Sequence, residues 1–226
     1  MRDTVNEENK HGHFQNYDKK GGTIMDFENE SFSVNVRGFG IWSFDAIERM
    51  KSWHGWGKQH FDLLLDPSDL LNNKYASASD ILLITVSSAR LTYNLAVLAG
   101  VLKWPVNYAL LEGCRLTLLL EADLVQIGLH DEQIVHYVPL DHPDYFSVYP
   151  TRTGYIVHGE TEIVALDRQF NIRWRYRDGG TFIHSLDECD FIIQGNQALV
   201  CGGSQRQFMI DIETGKVTDC APQALE

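Results

Sequence analysis

Five polar side chains lying close together in the sequence hold its best prospect of chemistry. Asp141, His142 and Asp144 stand in the stretch DHPDY, and His158 and Glu160 follow about one hairpin later. Carboxylates beside imidazoles can pass protons near neutral pH, or ligate a metal ion that activates water, so acid–base or metal-assisted chemistry is what this group would serve. Asp-His-Pro-Asp is also the composition of an ordinary turn between strands, and composition favours that structural role. Other catalytic patterns are missing. The sequence has no G-x-S-x-G, no phosphate loop, no H-E-x-x-H and no G-x-G-x-x-G, and Gly202-Gly203-Ser204 falls between strand-like runs as a hairpin tip. His11 and His13 form an isolated H-x-H in a polar segment, while His54, His60, His130, His136 and His184 stand singly. Cys114, Cys189, Cys201 and Cys220 include no C-x-x-C pair, which argues against structural zinc. The expectation is no resident metal and no cofactor.

Charge narrows the partners. The 226 residues include 19 Lys+Arg and 31 Asp+Glu, a formal charge of -12. Such a field repels phosphate backbones and anionic lipid headgroups, so neither nucleic acid nor a membrane surface is expected. A basic protein surface is the expected partner. The acids from which a contact patch would be drawn are Glu112, Glu121, Asp123, Asp131, Glu132, Asp141, Asp144, Glu160 and Glu162, each of which also serves solubility. The N-terminal residues lack the apolar run of a signal peptide, so reduced thiols and a cytoplasmic location are expected. The apolar stretch Ile81 to Trp104 is interrupted by Thr85, Ser87, Ser88, Arg90, Thr92 and Asn94 and reads as core rather than a membrane span.

The elements that must position these residues change character along the chain. Residues 1–30, with seven acids and four bases, read as a flexible arm. A strand follows at Ser33 to Arg37. Ser43 then opens the stretch SFDAIERMKSW as an N-cap, and Phe44, Ile47 and Met50 recur at helical spacing, predicting one short helix over Ser43–Trp53. From about residue 80 the period becomes that of strands: Leu91, Tyr93, Leu95 and Val97 alternate, as do Leu116, Leu118 and Leu120, and later Ile163, Ala165, Ile172 and Trp174. The expectation is one mainly β domain over 31–226, a helix-containing cap at 31–79 and a repeat-like antiparallel body at 80–220.

Four segments of the body align: 94–106, 125–138, 163–176 and 208–220, each a strand, a polar turn and a second strand. Leu102, Ile134, Ile172 and Val217 correspond, and Trp104, His136, Trp174 and Asp219 stand two residues further on. Intervening runs at Phe146–Tyr149, Tyr155–His158, Phe182–His184, Phe191–Gln194 and Ala198–Cys201 supply about four strands per repeat. Locally, Asp accepts backbone N–H groups at the turn, Gly or Asn supplies positive φ, and Trp174 and Trp104 are expected buried between sheets.

On Gly159, Ala165, Leu166, Asp167, Ile172 and Trp174 the third segment resembles the repeats of PQQ-type and WD-related β-propellers. The fourth shares Gly203, Ile210, Asp211 and the turn Thr214-Gly215-Lys216. The resemblance implies a propeller-like body; a curved, open stack of antiparallel sheets satisfies the same pattern. It brings no quinone or other ligand with it, because no residue of such a site is matched.

Three functions fit. The first is a non-catalytic protein-binding module, in its specific form an acidic inhibitor or toxin-immunity-type protein that meets a basic partner. The second is an enzyme with a dispersed site around Asp141–Glu160. The third is a propeller-like scaffold subunit of a larger assembly.

Overall fold

Strand β2 (Phe32–Ile41) pairs along its whole length with β4 (Ser79–Ser88), from Phe32 opposite Ser88 to Ile41 opposite Ser79. The computed structural model describes residues 24–41, 61–70, 79–99, 108–120, 122–141, 145–177, 180–182, 191–201 and 207–219. The predicted helix at Ser43–Trp53 lies outside the described residues, as do Trp104 and Leu102. The chain divides into two compact units, Met1–Leu98 and Ala99–Glu226.

In the first unit β1 (Ile24–Glu28) precedes β2, and β3 (Leu63–Leu65) and β5 (Thr92–Ala99) complete a five-stranded sheet in the order β1-β2-β4-β5-β3. Two expectations are corrected here. Residues 24–28 are a strand and not part of an arm, because Met25 and Phe27 are buried while Asp26 and Glu28 are exposed, an alternation that the polarity of residues 1–30 as a whole conceals. The boundary near 80 moves as well, because β4 and β5 are stitched into the same sheet as β1 and β2. Strand β3 runs parallel to β5, with Leu63 opposite Leu95, so this sheet is not wholly antiparallel. Phe61, Ile81, Leu83, Ala96 and Leu98 form one core cluster against it.

The second unit is a series of three antiparallel meanders of four strands each. The first contains β6 (Ala109–Glu112), β7 (Arg115–Leu120), β8 (Asp123–Gly128) and β9 (Gln133–Pro139). Next come β10 (Tyr145–Pro150), β11 (Gly154–Gly159), β12 (Ile163–Asp167) and β13 (Ile172–Tyr176). The third has β14 (Phe191–Gln194), β15 (Gln197–Cys201), β16 (Gln207–Asp211) and β17 (Val217–Asp219). The mainly β, blade-like reading therefore holds. The repeat begins at β6, however: the first aligned segment enters the other unit's sheet as β5.

The three remaining segments share their local geometry. Ile134, Ile172 and Val217 each lie on the fourth strand of a meander, and the residue two before each has positive φ: Glu132 at 55°, Phe170 at 65° and Gly215 at 70°. The sequence pattern points to Gly or Asn for this conformation. Phe170 takes it instead, and Asn171 donates to the Asp167 carboxylate at 2.9 Å. In the first two meanders the fourth strand also carries a bulge, with Val135 and Arg173 as the extra residues. The inner strands alternate in sequence yet are buried on both faces, as β11 is from Gly154 to Gly159. A side chain at Gly154 has no room, since a Cβ there would come within 1.9 Å of the Leu166 carbonyl oxygen.

Turn carboxylates close the hairpins. Asp167 Oδ1 accepts from the Gln169 and Asn171 amides at 2.8 Å, and Asp211 Oδ1 accepts from the Thr214 amide and hydroxyl at 2.8 and 2.7 Å. The Asn171 side chain and then its amide hold the Asp167 carboxyl below its ordinary 3.8, and Thr214 does the same for Asp211. A carboxyl depressed in the folded state stabilises above its unfolded pKa and loses that contribution as pH falls through the folded value. Acidification through the carboxylate range therefore lowers the exchange protection factors of the Gln169, Asn171 and Thr214 amides, read by NMR against the intrinsic rate at each pH. Asp167→Asn removes the pH dependence at the first two only.

Candidate functional site

The carboxylate of Glu162 is 1% exposed and gathers a cluster at the start of β12. It accepts from the Tyr145 hydroxyl at 2.5 Å, from Arg175 Nη1 at 2.8 Å and from Arg177 Nε at 2.9 Å. Asp141, 59% exposed, caps the cluster from outside, its Oδ2 lying 3.2 Å from both guanidinium groups. Strand alternation makes this possible: Arg175 sits opposite Val164, so Glu162, Val164 and Arg175 share a face. Burial first, then the hydrogen bond to Glu162, push the Tyr145 phenol well above its ordinary range. Burial alone would lower the pKa of Arg175, and the bond and charge of Glu162 reverse that. Chemically the cluster is a neutralised ion-pair network.

Of the acid–base candidates, His142 and Asp144 lie outside the described residues. Asp141 joins Arg175, Arg177 and Glu162. His158 is 0% exposed and enclosed by aromatic rings, stacked on Phe191 at 4.7 Å with Phe146 and Phe182 at its other sides. Glu160 is half-buried, and its carbonyl accepts the Phe182 amide. The structure thus draws Asp141 into the ion-pair network and His158 into the core. Among the described residues, no three His, Cys, Asp or Glu side chains are placed to hold a metal ion, and no helix is long and apolar enough to cross a membrane.

The acidic positions also separate. Glu162 is buried, which removes it from the surface pool. Glu112 pairs with Arg168 at 2.8 Å, and Arg168 lies over the Tyr155 ring at 5.3 Å. The Tyr155 hydroxyl accepts from Gln126 Nε2 at 3.2 Å, and the same amide nitrogen also lies 3.1 Å from Thr117 Oγ1. This second network joins the first two meanders. Asp123 accepts the Tyr137 hydroxyl at 2.9 Å. Asp131 is exposed and Glu132 half-exposed at the β8–β9 turn, and Glu121 lies outside the described residues. Beside that turn, Gln133, Val135, Tyr137 and Pro139 form the exposed alternate positions of β9, an edge strand of its sheet. The sequence reading named the acids of this edge but missed its apolar centre, whose signal is the alternation QIVHYVP next to Asp131-Glu132.

No protein-family model matches the chain, and no curated protein is significantly similar to it. Among solved structures it is similar to the WD40 domain of Neurospora crassa Pan2, at 13% identity and a TM-score of 0.41, over 92% of this chain and 64% of that one. It is also similar to Hsv2 of Kluyvelomyces marxianus, at 9% identity and a TM-score of 0.39, over 68% of this chain and 48% of that one. The chain thus spans less than two thirds of either structure. The architecture described above rests on strand order and register.

Proposed function

We propose that this chain is a non-catalytic protein-binding module whose partner presents a basic surface. What carries this reading is how the charges are spent. Four arginines of the second unit are engaged with acids within the fold: Arg152 with Glu213, Arg168 with Glu112, and Arg175 and Arg177 with Glu162 and Asp141. The exposed pairs Arg152–Glu213 and Arg168–Glu112 add little stability, and since each pair joins one base to one acid the chain keeps its net charge of -12. An inhibitor or immunity-type protein that neutralises a basic partner is the specific form of this reading, supported by the acidity. A scaffold subunit is the second reading, supported by the serial meanders, which present broad sheet edges.

The test is kinetic. With the partner recovered from the source cell and purified, the association rate falls about tenfold or more between low and physiological salt while dissociation changes less. A rate flat across that range overturns the basic partner.

A further inference from the structure

The geometry points to the outer edge of the first meander as the partner's seat: β9 offers a cationic protein segment an apolar centre at Val135 and Tyr137 between carboxylates at either end. This assignment rests on the protein-binding reading above. Val135 and Tyr137 are 38% and 41% exposed, two of the three large apolar residues left exposed among the described residues, and they lie on one face of one strand. Tyr137 is held in place, because its hydroxyl bonds to Asp123, so docking against the ring costs little rotamer freedom. Val135 leans over a glycine: a Cβ at Gly128 would come within 3.0 Å of its methyl group.

Charge fixes the chemistry of the occupant. From Leu116 to Thr151 the sequence contains Glu121, Asp123, Asp131, Glu132, Asp141 and Asp144 and no Lys or Arg. Asp131 and Glu132 close the strand at its hairpin end, and Asp123, whose residue pairs with Pro139, closes the other. The six steps from Gln133 to Pro139 span roughly 20 Å at about 3.3 Å per residue. An aromatic and an aliphatic anchor inside a charged rim is how protein interfaces are built. The matching segment therefore carries aliphatic side chains at its centre and Lys or Arg about 20 Å apart. The third exposed residue, Ile172, is 39% exposed but stands beside Arg173, which bonds only neutral oxygens, so the aligned edge of the second meander is the weaker seat for the same segment.

A photo-reactive benzoylphenylalanine placed singly at Val135, Gln133 or Ile172 of the full chain, in the source cell, tests the assignment. All three positions are exposed, and each variant is first checked to melt like the parent; Gln133 replaces Val135 where the latter does not. The expected result is an adduct at 133 or 135 whose sequenced partner peptide is rich in Lys and Arg, with a yield about tenfold above that at Ile172. Adding Asp131→Lys and Glu132→Lys lowers that yield by about the same factor. Protein adducts at Ile172 alone overturn the placement and leave the binding reading standing. An adduct at 135 to an acidic or neutral peptide overturns the cationic segment. Adducts to nucleic acid, or none to protein at any of the three, overturn the placement and the binding reading together.

Discussion

Glu162→Ala lowers the unfolding free energy by about 3 kcal/mol, the largest loss expected from removing any single charge among the described residues. The carboxylate is buried and receives three donors. Its removal leaves the Tyr145 hydroxyl without this acceptor and Arg175 Nη1 with Asp141 alone, 3.2 Å away, and an unmet buried donor costs more than the bond it made was worth. Asp141 cannot take over, since it sits at the outer side of the same guanidinium groups. The loss stays near the lower end for buried pairs because Arg177, about half exposed, can return to water. The unfolding midpoint in urea measures it. A control separates charge from shape: adding Arg175→Leu to Glu162→Ala recovers part of the loss, since the stranded cation is gone. A double variant less stable than the single one by the full cost of Arg175→Leu alone overturns the network.

That cluster shows where sequence reading stops. A Glu before the strand IVALD reads as a solvated strand end, because charge predicts exposure and nothing local says otherwise. What buries it is the neighbouring strand: its Arg-x-Arg, Arg175 and Arg177, arrives on the same face through a register set partly by the bulge at Arg173. Strand existence was legible because period 2 and turn residues are local properties. The order of strands within each meander followed from short connections. Residue 94 to 99 alternates as well as any segment, yet β5 pairs with β4 and β3, a choice of partner that alternation does not encode. In the same way, Asp131 and Glu132 were legible as acids, while the edge they flank emerged only when β9 proved to be terminal in its sheet.

The aligned repeat carries a contact that the alignment alone does not name, and its loss gives the second large effect. His136 of β9 stacks on Phe170 at 5.0 Å with ring planes 9° apart. Trp174 of β13 donates its indole N–H to the Ile212 carbonyl at 2.9 Å and lies flat on Gly215, where a Cβ would meet the ring at 2.8 Å. In both cases the residue two after the aligned position presses on the positive-φ residue of the next meander's turn. Trp174 is thus half-buried between two meanders, less enclosed than expected, but bonded at its edge. Trp174→Ala should therefore cost about 3 kcal/mol, at the low end for a tryptophan truncation. His136→Ala should cost about 1 kcal/mol, the worth of one ring pair. Gly215→Ala must displace the indole and also hold an alanine at φ 70°, which together amount to about 2–3 kcal/mol. In the Trp174→Ala background only the backbone part, about 1 kcal/mol, remains. The double variant is then more stable than the sum of the single effects by about 1–2 kcal/mol. Chemical unfolding of the four proteins reads this coupling directly. Strict additivity would mean that the indole does not press on the turn, and that the meanders are held together by the Phe182, Phe191 and Phe208 core without the repeated clasp.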